Sequence, residues 1–175
     1  MASTDDELLE TLDDRGQPAG LVPRARVHAE GHWHRAAHVW LYDREGHVYV
    51  QRRSSEKDLN PDCWDVSVGE HLHPGEGYSD AARRGLSEEL GLRDLDLSRL
   101  GVPRPMRVDC PERGIYDYEY QQVFVAVTRR APVPEPSEVT AVRLVAPDEL
   151  RRWLAAEPTA FTPGFHGDVR DLDLP

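Results

Sequence analysis

Apolar residues along this chain alternate with polar ones in several short runs and take a helical spacing in only two places. His34 to Tyr42 and His47 to Arg52 flank the turn Asp43-Arg44-Glu45-Gly46, with Val48 and Val50 on one face, which predicts a β-hairpin. Val22 to Val27 predicts an earlier strand and Trp64 to Val68 a short one. Leu100 to Val108 and Ile115 to Thr128 predict two more, the second with Val123, Val125 and Val127 at period two. Val139 to Val145 predicts the last. Ala82, Leu86 and Leu90 instead recur one helical turn apart, with Ser79 or Asp80 placed to cap the start and Gly91 to end the helix. Pro147-Asp148-Glu149 opens a second helix running to about Ala156, with proline at its favoured first turn. Strands on both sides of one helix, with another helix late in the chain, give an α/β class. Residues 1–20 read as an acidic lead-in, frayed or carrying a short strand beside the Gly16 turn. Residues 21–158 read as a single domain, and residues 159–175, with Phe161 and Phe165, as a C-terminal tail that either docks or frays.

The first helix ends badly for a helix built only for stability. Glu88 and Glu89 fall in its last turn, where the helix dipole is negative and an anion costs about 0.3–1 kcal/mol. A divalent cation bound there reverses the sign. Arg84 stands one turn before Glu88 and is spaced to pair with it, while Gly85 costs roughly 1 kcal/mol against alanine inside a helix.

Charge narrows the classes further. The formal net charge is −11, the opposite of a nucleic-acid-binding footprint. An acidic protein that handles a polyanion needs metal ions and a few placed cations, and Arg53 and Lys57, ahead of Trp64, offer a fork and a point charge to an anionic group. No stretch has the apolar length of a membrane span, and the first residues lack the basic and apolar regions of a signal peptide. The expected compartment is cytoplasmic. Cys63 and Cys110 follow no metal or disulfide spacing and read as reduced thiols.

From Gly69 to Leu92 the chain resembles the Nudix hydrolase superfamily. Glu76, Arg84, Leu86, Glu88, Glu89, Gly91 and Leu92 stand at the positions of the Nudix box. Two positions depart from it. Glu70 replaces the first glycine, although Gly69 precedes it, and Gly85 replaces the glutamate after the arginine, a residue that in many members binds metal or helps to activate water. The resemblance implies an α/β/α sandwich with a mixed β-sheet between helices, and Mg²⁺ or Mn²⁺ held by Glu88 and Glu89. The Gly69 carbonyl is a weaker ligand candidate, and Glu76 either binds metal or braces the loop.

A second pattern, over residues 24–125, resembles the type 1 isopentenyl-diphosphate isomerases, which are Nudix relatives. His34-Arg35-Ala36, then Trp64, Ser67 and Gly69-Glu70-His71, then Gly114-Ile115-Tyr116-Asp117-Tyr118-Glu119 carry it, and His28 fits with a shift of one residue. The resemblance implies a metal site of His28, His34, His71, Asp117 and Glu119, hence a second divalent ion. These residues are expected on strands or strand ends, with Asp117 and Glu119 on one face. The family's catalytic cysteine would stand at position 69, where this chain has Gly69.

The leading expectation is a Mg²⁺-dependent hydrolase of a small diphosphate, with Glu88 and Glu89 on metal and Glu119 or Asp117 supplying the missing carboxylate as ligand or base. An isomerase of prenyl diphosphates is the alternative. A diphosphate-binding module without chemistry is the third reading, and the resemblance leaves a homodimer open.

Overall fold

A computed structural model describes residues 7–174; the first residues of the expected lead-in, 1–6, lie outside them. Strand β1 (Leu8–Leu12) pairs antiparallel with β2 (Pro18–Pro23) across the Gly16 turn. Helix α1 (Arg24–Glu30) follows directly and stops at Gly31, whose φ of 71° is the left-handed terminator. The expected strand over 22–27 is therefore corrected. Pro23 supplies the fixed φ just ahead of the first turn, and Val27 is buried on the inner face of a helix.

A seven-stranded sheet forms the centre, built on β3 (Trp33–Tyr42), β4 (Val48–Arg53) and β8 (Ile115–Val127). β3 runs parallel to β8 along its whole length, and the other pairings are antiparallel, so the sheet is mixed. β7 (Ser98–Cys110) borders β8, and β9 (Val139–Val145) pairs with β4. The single strand expected over 64–68 is two: β5 (Trp64–Asp65) on β4 and β6 (Val68–His71) on β3. Ser67 sits where these partners part. Its hydroxyl donates to the Tyr49 carbonyl at 2.6 Å and accepts from the Leu41 amide at 2.8 Å, which satisfies backbone groups the split would otherwise orphan.

Helix α2 (Tyr78–Leu90) covers one face of the sheet, with Ala82, Leu86 and Leu90 packed on Val39, Leu41, Val68 and Phe124. Gly77 rather than Ser79 or Asp80 occupies its N-cap, and Gly91 ends it at φ 64° as expected. Helices α3 (Pro147–Ala156) and α4 (Pro163–Leu172) cover the other face around Trp40, Val123, Phe161 and Phe165. The tail thus docks rather than frays. Phe165 is fully buried, and Asp168 accepts from the Trp40 indole at 2.8 Å. The result is the α/β/α sandwich with a mixed sheet.

Candidate active site and metal centre

Period two on the strands puts the site on the sheet. His34, His38 and Trp40 share one face of β3, and the parallel register sets His34 beside Glu119. β6 divides its side chains between the two faces: Gly69 and His71 turn toward His38 and Glu119, while Val68 and Glu70 turn toward α2. A cleft of about 610 Å³ opens along this edge, lined from both sides.

On the α4 side, His28, His34 and His71 each offer a ring nitrogen, and these atoms lie within 4.8 Å of one another. His34, Asp117 and Glu119 form a second such group sharing His34, which brings the five expected residues together. One expectation is corrected: His28 sits on α1, not on a strand. Glu119 bonds His71 Nε2 at 3.1 Å and lies 3.6 Å from His34 Nε2. His28 Nδ1 and Nε2, His34 Nε2 and Asp117 Oδ1 are buried without a hydrogen-bond partner. Unpartnered buried polar atoms each cost about 1–3 kcal/mol, and a cation among them removes that cost. Burial lowers the pKa of His28 and His71, keeping both as the neutral imidazoles that bind metals. Burial, reinforced by Glu119, raises Asp117 to about 7. Burial acts the same way on Glu119, but His34 and His71 outweigh it and hold Glu119 well below the usual carboxylate range. The residues fit a divalent ion, and the nitrogen-rich set suits a transition metal or zinc.

On the α2 side the two box glutamates part company. Glu89 is buried and Glu88 is exposed, reaching Arg84 at 3.6 Å. Glu76 accepts from Arg84 at 2.9 Å and from the His73 amide at 2.8 Å. Its carboxylate is engaged in bracing the loop, so of the two roles open to it the brace is the one seen. Val68 and Glu70 of β6 fill the room that Gly85 leaves. A Cβ on Gly85 would lie 3.3 Å from Glu70 Oε2 and only 2.4 Å from Val68 Cγ1. Arg84 holds Glu70 at 3.1 Å. Burial raises Glu70 to about 7 and, together with Glu70, raises Glu89 to about 8. A divalent cation beside them would favour the charged form of both carboxyls.

Arg53 and Lys57, the residues expected to meet a diphosphate, both line the cleft. Arg53 also donates to the Leu59 carbonyl and to Asp65, both at 3.1 Å, and Lys57 pairs with Glu138. Cys63 and Cys110 are free thiols, and neither lines the cleft. His38 and Gly164 line it without any sequence signal that singled them out. His38 Nδ1 meets Asp168 at 2.9 Å, and although burial opposes the charge, Asp168 raises this histidine to about 9.

The NUDIX domain profile matches residues 32–165. The chain belongs to the Nudix family. Among its relatives, an isopentenyl-diphosphate Delta-isomerase of Nocardia farcinica is 37% identical over 89% of this chain and 88% of its own. A protein of Pseudomonas aeruginosa described as an uncharacterized Nudix hydrolase is 33% identical over 84% of this chain and 83% of its own. The crystal structure of DR0079 from Deinococcus radiodurans matches 86% of this chain and 90% of its own, with a TM-score of 0.69 and 24% identity, a likeness of fold. Named isomerases and named hydrolases thus both stand near this Nudix chain. Among the described residues, no helix is long and apolar enough to cross a membrane.

Restoring the box glutamate is expected to harm this Nudix protein. Gly85→Glu places a side chain against Val68, and overpacking of this kind typically costs about 1–3 kcal/mol. A urea melt checks this; unchanged stability would show that Val68 and α2 can move apart to admit the side chain.

Proposed function

We propose that the chain is a divalent-metal-dependent hydrolase that cleaves a phosphoanhydride bond in a small diphosphate, with Mg²⁺ or Mn²⁺ at Glu89, Glu70 and Glu88. The observation that carries the reading is the Glu70–Gly85 exchange. Glu70 Oε2, from β6, lies 3.3 Å from where a Cβ at position 85 would stand, which supports reading the departure as a relocated ligand. A bound divalent ion neutralises phosphate oxygens and makes a bound water more acidic. Arg84 holds Glu70 and Glu76 in place. Arg53 and Lys57 meet the diphosphate from the cleft wall. Glu119, kept ionised by two histidines, either accepts a proton from the attacking water or ligates the ion of the histidine cluster. Phosphate release from nucleoside and prenyl diphosphates with Mg²⁺ or Mn²⁺ tests the reading. No turnover on any of them by folded protein would refute it, and tight binding without turnover would instead make the chain a binding module.

Isomerisation of isopentenyl diphosphate is the second reading, favoured by the histidine cluster and by the relatives that carry that name. Against it stands Gly69, since protonating an alkene needs an acid and a base on opposite faces and neither cysteine lines the cleft.

The raised carboxyls give this reading a pH signature. Glu70 and Glu89 move from 4.5 to about 7 and about 8, so the folded chain binds more protons than the unfolded one. Their contribution is complete below the unfolded value and is lost as the pH rises through the folded values. Without divalent ions these two groups lower stability from about pH 4.5 up to about pH 8, and the gain in Tm from Mg²⁺ is expected to grow from pH 6 to pH 8. Paired melts with Mg²⁺ and with chelator measure it; a gain that shrinks over that range would contradict the Glu70/Glu89 site.

A further inference from the structure

A histidine that faces an ion with one ring nitrogen keeps its proton on the other, and that proton needs an acceptor. His34 turns Nε2 toward Asp117 and Glu119 and sets Nδ1 on the His32 carbonyl at 3.0 Å. His28 also turns Nε2 toward Asp117, at 3.8 Å, but its Nδ1 is buried with no hydrogen-bond partner. What Nδ1 faces is Asp58, whose Oδ2 lies 3.7 Å away, too far for a hydrogen bond. Asp58 stands in the loop 54–63 that joins β4 to β5, and its Oδ1 accepts from Arg24 and from the Leu59 amide, both at 2.9 Å. The same loop governs the cations of the cleft. Lys57 precedes Asp58 in the chain, and the Leu59 carbonyl accepts from Arg53 Nε at 3.1 Å. Lys57, Leu59 and Arg53 all line the cleft.

We propose that Asp58 is a positioning residue: with a divalent ion in the histidine site it accepts from His28 Nδ1, and that bond fixes the loop bearing Lys57 and bracing Arg53 for the diphosphate. The inference rests on reading the cleft as a diphosphate site beside a histidine metal centre, and adds the link between the two. Without an ion, a neutral imidazole carries its proton on either nitrogen. An ion facing Nε2 confines the proton to Nδ1, which turns a loose approach into a bond to a carboxylate. Because the link is a binding free energy it is reciprocal, so metal and diphosphate each tighten the other.

Calorimetric titration of chelator-treated protein with zinc, and of zinc-free and zinc-loaded protein with inorganic pyrophosphate in Mg²⁺ buffer, tests this. Asp58→Ala is expected to weaken zinc binding about 10- to 100-fold. Zinc is expected to tighten pyrophosphate binding at least about 5-fold, a gain that zinc-saturated Asp58→Ala loses and that Asp58→Asn, which keeps an acceptor in place, largely retains. A nitrogen–proton correlation spectrum of the unsubstituted protein reads the bond directly, so the test survives if Asp58→Ala fails to fold. The His28 Nδ1 proton is expected as a slowly exchanging resonance with zinc and to vanish without it. Equal zinc affinity in parent and Asp58→Ala overturns this inference alone, as does a full pyrophosphate gain in the zinc-saturated variant or a His28 Nδ1 proton that exchanges freely with zinc bound. Failure of zinc to bind removes the histidine metal centre, failure of pyrophosphate to bind removes the diphosphate reading, and the inference falls with either.

Discussion

Glu89→Gln is expected to lower hydrolytic turnover by at least about 100-fold while the protein folds normally. Loss of a group that merely supports a metal ligand costs about 10- to 100-fold in affinity or activity, and on the proposed reading Glu89 holds the ion itself. The substitution keeps the shape of a buried side chain and removes a carboxyl that burial and Glu70 raise to about 8. The metal-free variant is therefore expected to be more stable than the parent at pH 8, even as its activity falls. This opposite movement separates loss of a ligand from loss of structure. Glu88→Gln, at the exposed rim and 3.6 Å from Arg84, is expected to cost much less. Steady-state kinetics and melts of the two variants decide the matter, and equal losses would place the metal on both residues equally.

The second large effect concerns the histidine cluster. One equivalent of zinc or manganese is expected to bind chelator-treated protein at His28, His34, His71, Asp117 and Glu119. At free metal about 100 times Kd, binding adds about 2.7 kcal/mol to folding, which for a domain of this size raises Tm by roughly 5–11 °C. His34→Gln is expected to lose that increment and to keep the response to Mg²⁺, since His34 belongs to both ligand groups and neither includes Glu70 or Glu89. Loss of both responses together would mean that the chain holds one metal site, not two.

The sequence shows the outline of this site and conceals its compensation. The box spacing names Glu88 and Glu89, and the alternation of Asp117 with Glu119 names one face of β8, because both signals are local. Glu70 stands fifteen positions before Gly85 in the chain; only the packing of β6 on α2 shows that its carboxylate reaches the space beside Gly85. His38 sits inside an apolar strand and reads there as a core residue. Its partners Asp168 and Gly164 come from a tail whose docking depends on tertiary contacts, which no local pattern encodes. His28 is legible only through the family resemblance, and the pattern sets it at a strand end and not on a helix, because Val22 and Val27 carry β-branched side chains and α1 has only seven residues, too few for a periodic signal. The division of one expected strand into β5 and β6 was hidden for a related reason, since Ser67 serves two different neighbours through backbone bonds.

On the proposed reading, this Nudix chain cleaves diphosphates, whereas several of its relatives are named as isomerases. The most direct measurement incubates the Mg²⁺-loaded protein in heavy water with isopentenyl diphosphate and, separately, with nucleoside diphosphates, following phosphorus and proton resonances together. Release of phosphate from at least one nucleoside diphosphate is expected, with no deuterium in the carbon skeleton of isopentenyl diphosphate. Deuterium entering that skeleton, with every diphosphate left intact, would contradict the reading.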